Sequence, residues 1–143
     1  MIKTKQELTL AYKLPGMNEI IEANRNSRFD GGSQKAHWTD TVAKECKIQR
    51  IKPFKHQINT KFIWICKNKK RDKDNIMAGQ KFVFDGLIKA GIIPNDGWKE
   101  IGTIEHQFQT GTYDKVQVLM KENLDKKLEN IWKKILIKKY QKN

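Results

Sequence analysis

The sequence predicts an α+β fold, a small mixed β-sheet with helices packed on it, formed as a single domain over residues 1–143. Three observations point there. Residues 7–14 and 57–67 read as strands, the first by strict alternation and the second by an apolar run. Residues 75–90 and the stretch from Asn123 onward repeat apolar side chains at helical spacing. A chain of 143 residues, 38% of them hydrophobic, suits one modest core.

In the first strand, Leu8, Leu10, Tyr12 and Leu14 face one way and Glu7, Thr9, Ala11 and Lys13 the other. Pro15-Gly16 stops it, and Asn18 is placed to cap a short helix through Ile20 and Ile21. Residues 24–34, NRNSRFDGGSQ, lack periodicity and contain Gly31-Gly32. They read as a mobile basic loop offering Arg25 and Arg28 to phosphates, or equally as an ordinary solvated loop. A helix is expected over 35–49, with Trp38, Val42 and Cys46 on its apolar face.

In the second strand, Ile58, Phe62, Trp64 and Cys66 share one side, and Ile63 and Ile65 the other. Its middle is therefore expected to be covered on both faces. The helix over 75–90 carries a stripe of Ile76, Val83, Phe84, Leu87 and Ala90, with Lys81, Asp85 and Lys89 opposite. Gly79 and Gly86 flank the stripe and would let it approach the sheet. Gly91 ends the helix, and Pro94-Asn95-Asp96-Gly97 reads as a tight turn. Residues 98–108 and 115–120 read as a hairpin across Gly111. Residues 123–143 form a basic amphipathic helix with Leu124, Leu128, Ile131, Trp132, Ile135 and Leu136 on one face. Such a helix covers the sheet, joins a second subunit or lies near DNA; the first is the commonest outcome.

Lys+Arg 29 against Asp+Glu 16 gives a net charge of +13. That excess suits a polyanion, although a lysine-rich coding bias accounts for part of it. No apolar run is long enough to cross a bilayer, and no apolar signal core follows the first lysines, so the expected compartment is the cytoplasm, with no membrane partner. Cys46 and Cys66 form no zinc or redox motif. His37, His56 and His106 sit at no metal-binding spacing. No GxxxxGK[ST], GxSxG or HExxH occurs, so no nucleotide cofactor, serine triad or zinc protease is supported.

The chemistry is expected between Lys69 and Asp96, KKRDKDNIMAGQKFVFDGLIKAGIIPND. Residues two apart on an extended backbone point the same way, so Asp72 and Asp74 can converge on one cation. Carboxylates so placed repel one another unless a cation or protons neutralise them. Lys69, Lys70, Arg71 and Lys73 surround them with positive charge suited to DNA phosphates.

The pattern of Asp72, Asp74, Asn75, Phe84, Asp85, Leu87, Lys89, Ala90, Gly91, Asn95 and Asp96 resembles the RusA-type Holliday junction resolvases. The variants common on phages and prophages of Gram-positive bacteria look closest, and Leu14-Pro15-Gly16-Met17-Asn18-Glu19 looks like that family's first loop. The likeness is dense over residues 69–104 and thin elsewhere. It implies a Mg²⁺-dependent endodeoxyribonuclease, with Mn²⁺ as an alternative ion, held by Asp72, Asp74 and Asp96. It further implies a homodimer acting on four-way DNA junctions and leaving 5′-phosphate and 3′-hydroxyl nicks. An essential lysine stands four residues after the second Asp in the best-known branch; here that position is Ala78, and the resemblance to the Gram-positive variants carries the role to Lys81. A catalytically inactive DNA- or RNA-binding protein is the alternative reading.

Overall fold

A computed structural model of the chain describes residues 5–141. Its elements run β1 (Lys5–Leu10), α1 (Met17–Asn26), α2 (Arg28–Ile48), β2 (Ile58–Cys66), α3 (Lys73–Met77), α4 (Gln80–Lys89), β3 (Ile101–Thr110), β4 (Lys115–Glu122) and α5 (Leu124–Gln141). The fold is α+β, with one four-stranded sheet in the order β1-β4-β2-β3. β4 is antiparallel to both β1 and β2, whereas β3 is parallel to β2.

That order replaces the expected hairpin. β3 and β4 do not pair; β2 lies between them, and the Gly111 N–H donates to the Cys66 carbonyl where the chain passes over the end of β2. β2 alternates buried and half-buried residues along its whole length and lies inside the sheet between β4 and β3, while β1 joins only through β4. α3 and α4 form the crossover that a parallel pair requires.

The covered face of the sheet contributes Leu8, Leu10, Phe62, Trp64, Val116 and Val118 to one core with Val42 and Cys46 of α2 and Val83, Phe84 and Leu87 of α4. The expectation that β2 is covered on both faces fails: Ile63 and Ile65 are only half-buried. α5 buries none of its residues, so it does not seat on that face, and Leu128, Trp132 and Ile135 stay exposed. No described helix is long and apolar enough to cross a membrane.

Other boundaries moved for identifiable reasons. Residues 24–34 are not a loop but the end of α1 and the start of α2, which begins at Arg28 rather than Lys35. Ser27 supplies the break: extended backbone at φ −170, with its hydroxyl accepting the Asp30 N–H at 2.9 Å. Gly31 is buried because α1 crosses there; a Cβ would lie 1.9 Å from Asn24 Oδ1. The expected 75–90 helix is two helices, broken at Ala78-Gly79 where Gly79 fits between Leu14 and Trp64. Gly86 abuts Val42 of α2, not the sheet. Gly91 does end α4: at φ 74 it sends its N–H to Ile88 O, and the Ile92 N–H reaches Leu87 O.

Candidate functional site

β2 and β3 run parallel, so their C-terminal ends, Cys66 and Thr110, lie side by side. Ligand sites in sheets with parallel strands favour that edge. A groove of about 780 Å³ opens there, lined by both ends, by Asn68, Lys69 and Arg71 of the connecting loop, by Asp72, Lys73, Asp74 and Ile76 at α3, and by Phe108 and Gln109 of β3. Asp72 precedes α3 with extended backbone, and Asp74 sits in its first turn. Both carboxylates are exposed within the groove, and Asp74 Oδ1 accepts the Asn75 N–H at 2.9 Å.

The loop after β1 braces this edge. Arg71 donates from Nη1 to the Leu14 carbonyl at 3.1 Å and lies 4.0 Å from Glu19. Asn75 Oδ1 accepts the Asn18 N–H at 2.9 Å, so Asn18 does not itself cap α1; a residue of α3 does so from across the fold. Gly16 permits the approach, since a Cβ there would meet Asn75 Oδ1 at 2.6 Å. Residues 14–19 and 72–75 are thereby brought together. Arg71 lines the groove while partly committed to this brace.

Asp96 does not join the pair. It is exposed in the turn before β3, where Asn95 Oδ1 accepts its N–H, and the neighbouring Trp98 carbonyl accepts from Gln57 Nε2 at the opposite end of β2. The 9-residue length of β2 separates the two places, roughly 25 Å at about 3.3 Å per residue. Among the described residues no three of His, Cys, Asp or Glu gather in a cluster fit for a metal ion. The crossover explains this: α3 and α4 carry the chain from the C-terminal end of β2 back to the N-terminal end of β3.

Lys81 also lies elsewhere. Its ammonium is 3.8 Å from Asp85 Oδ2, one turn further along α4, instead of reaching back to the aspartates. Lys35 of α2 approaches the same carboxylate at 3.9 Å, and Lys89 pairs with Asp40. This polar face of α4 is turned to α2. The lysine that the fold brings to the groove is Lys73, whose Nζ stands 5.7 Å from the centroid of the Phe108 ring. Lys69 lines the groove with it, and Lys70 is exposed beside it. Arg25 and Arg28 are exposed at the α1–α2 junction, outside the groove.

Sequence reasoning missed the aromatic wall. Phe62, Trp64, His106 and Phe108 lie on the covered face; Trp64 Nε1 donates to His106 Nδ1 at 2.9 Å, and Gln80 Oε1 lies 3.2 Å from His106 Nε2. Burial pushes the His106 imidazole below its ordinary value. Alternation of Ile104, His106 and Phe108 was the available signal. Cys66 at the groove floor is also pushed up by burial, while Cys46 in the core is pushed up to about 12.

Comparison with protein-family models and with curated proteins finds no match for this chain.

Proposed function

We propose that the chain is a metal-dependent endodeoxyribonuclease of branched DNA, acting on four-way junctions as a homodimer. One observation carries this reading: two exposed carboxylates and the cations Lys69, Arg71 and Lys73 line a single groove at the C-terminal ends of two parallel strands. Paired acids among bases are unsuited to holding a phosphate backbone alone, because they repel it. Asp72 and Asp74 offer hard oxygen donors in an open groove, which fits Mg²⁺ or Mn²⁺, ions commonly held by one or two carboxylates plus substrate phosphate. A bound divalent ion would supply Lewis-acid activation of the scissile phosphate and a water of lowered pKa.

The protein's own part is positional. Lys69 and Lys73 hold phosphates beside the aspartates, and Arg71, fixed by the Leu14 carbonyl, keeps the loop's path constant. The net charge of +13 adds sequence-independent affinity. Asp96 and Lys81 take no part in a site built within one chain.

Their placement favours a second reading, a binding protein that grips branched DNA without cutting it. Mg²⁺-dependent nicking of a synthetic four-way junction, set beside linear duplex and RNA of matching sequence, separates the two. Paired nicks in the junction support hydrolysis, and tight binding without nicks supports the second reading.

A further inference from the structure

The groove has a floor that charge does not explain. On the covered face of the sheet a row of rings runs toward it. The His106 ring stands 5.1 Å from Phe62 and 20° off parallel, and Phe108 stands 6.3 Å from His106 and 22° off parallel. Phe84 meets Phe62 edge-on at 5.6 Å and 74° inside the core, closing the row at that end. At the other end Phe108 is half-buried and lines the groove. The Lys73 ammonium stands over its ring at 5.7 Å, on a side chain that is itself exposed. Part of the ring is thus turned to the groove, where an exposed side chain reaches it. A flat ring with cations along one side is how strand-binding grooves pair base stacking with phosphate contact.

We propose that Phe108 is a stacking platform for one unpaired DNA base, which adds the next ring to the row while Lys73 and Lys69 take the flanking phosphates. A recessed ring selects among DNA forms. Bases within a duplex have both faces covered by their neighbours and show the grooves only their edges. A base that is unpaired or extruded, as at an opened branch point, can present its face. The groove therefore discriminates by strand opening as well as by charge. This inference rests on reading the groove as a DNA site, and does not require that the DNA be cut.

The test uses the full chain without divalent metal, so that binding is read apart from cleavage. The probes are a four-way junction carrying 2-aminopurine at the branch point, the linear duplex of the same sequence, and the matching single-stranded RNA. Phe108→Leu and Phe108→Met remove the ring and keep apolar bulk, each checked by circular dichroism for the native fold; Phe108→Tyr keeps the ring. The expected result is a junction Kd raised about 5- to 150-fold in the ring-less variants, an unchanged duplex Kd, and 2-aminopurine emission quenched by wild type and Phe108→Tyr but not by Leu or Met.

Equal losses for junction and duplex, or junction binding and quenching indifferent to the ring, would overturn the proposal. So would tighter binding of the RNA than of the junction. Mg²⁺-dependent nicking that persists while binding ignores Phe108 would reject this inference and leave the nuclease standing. Ring-dependent quenching with no nicking would do the reverse.

Discussion

The indole N–H of Trp64 donates to Nδ1 of His106 at 2.9 Å. An indole can only donate, so Nδ1 carries no hydrogen and the neutral ring keeps its proton on Nε2, directed at Gln80 Oε1 at 3.2 Å. Protonating His106 would set two donors against each other and place a charge beside Phe62 and Phe108.

Burial holds the His106 pKa below 6.5 in the fold. Between that lowered value and 6.5 the unfolded chain binds the proton and the native chain does not, so stability rises with pH in that window. Stability from this group is complete above 6.5 and is lost as pH falls toward the folded value. The thermal midpoint of wild type is expected to drop more than that of His106→Gln when pH falls from 7 to 5.5. Parallel pH curves for the two proteins would show that His106 does not carry the effect.

Asp74→Asn is expected to reduce Mg²⁺-dependent nicking by at least about 10²-fold, the scale seen when one group acting on transition-state charge is removed, while junction binding stays the same or tightens. Asp72→Asn should behave alike, and the double variant should be no worse than either alone, because both act on one ion. Gel assays of nicking and of binding on the same junction decide it; cutting retained by Asp74→Asn removes the site. Asp96→Asn is informative because of its position. Within one chain it is remote from the groove, so a loss of cutting there would mean that Asp96 acts from a second copy.

Lys73 and Lys81 should separate cleanly. Lys73→Ala removes a cation of the groove, so it is expected to weaken junction binding and to reduce the slope of log K against log salt by about 1. Lys81→Ala removes a pair one turn long with the half-buried Asp85, away from the groove, and should leave binding and slope unchanged. A salt titration of each variant checks this. Equal effects of the two would mean that the groove is not where the phosphates lie.

Much of this arrangement is legible in the sequence. The alternation of Leu8 and Leu10, the apolar run of β2, the stripe of α4 and its stop at Gly91 all depend on neighbours within a few positions, and these emerged as expected. Asp72 and Asp74 do line one groove, though not on the extended backbone expected: Asp72 precedes α3 and Asp74 lies in its first turn. What escaped depends on contacts distant in sequence. Nothing near Gly111 reveals that β2 will lie between β3 and β4, and with that placement the Asp96 turn goes to the far end of the sheet. Gly31-Gly32 read as a loop because the helix crossing that makes Gly31 useful involves Asn24 of another helix. The role expected of Lys81 came from the resemblance, whereas in the fold its ammonium lies by Asp85 on the side of α4 that faces α2.

Glu122 offers a stability test. Its side chain is fully buried at the end of β4, and neither carboxylate oxygen has a hydrogen-bond partner among the described residues. Lys127, on the first turn of α5, brings its ammonium to 3.5 Å. Lys127→Ala is expected to destabilise by about 1–3 kcal/mol, the cost of leaving a buried polar group unmatched. Glu122→Gln in the same chain should recover most of that loss. Urea unfolding of the two single variants and the double closes the cycle; additive effects would mean that the two side chains do not interact.

The strand order also bears on when this protein can fold during synthesis. β1 is synthesised before β2, β3 and β4, yet its neighbour in the sheet among the described residues is β4, and Lys5 pairs with Lys121. The central strand likewise receives both of its flanks only from residues past Gly97. Leu8, Leu10, Phe62 and Trp64 must therefore wait, exposed, until β4 has emerged. Pairing over such sequence distance is slow. A ribosome stalled ahead of Lys115 yields a chain whose sheet cannot close.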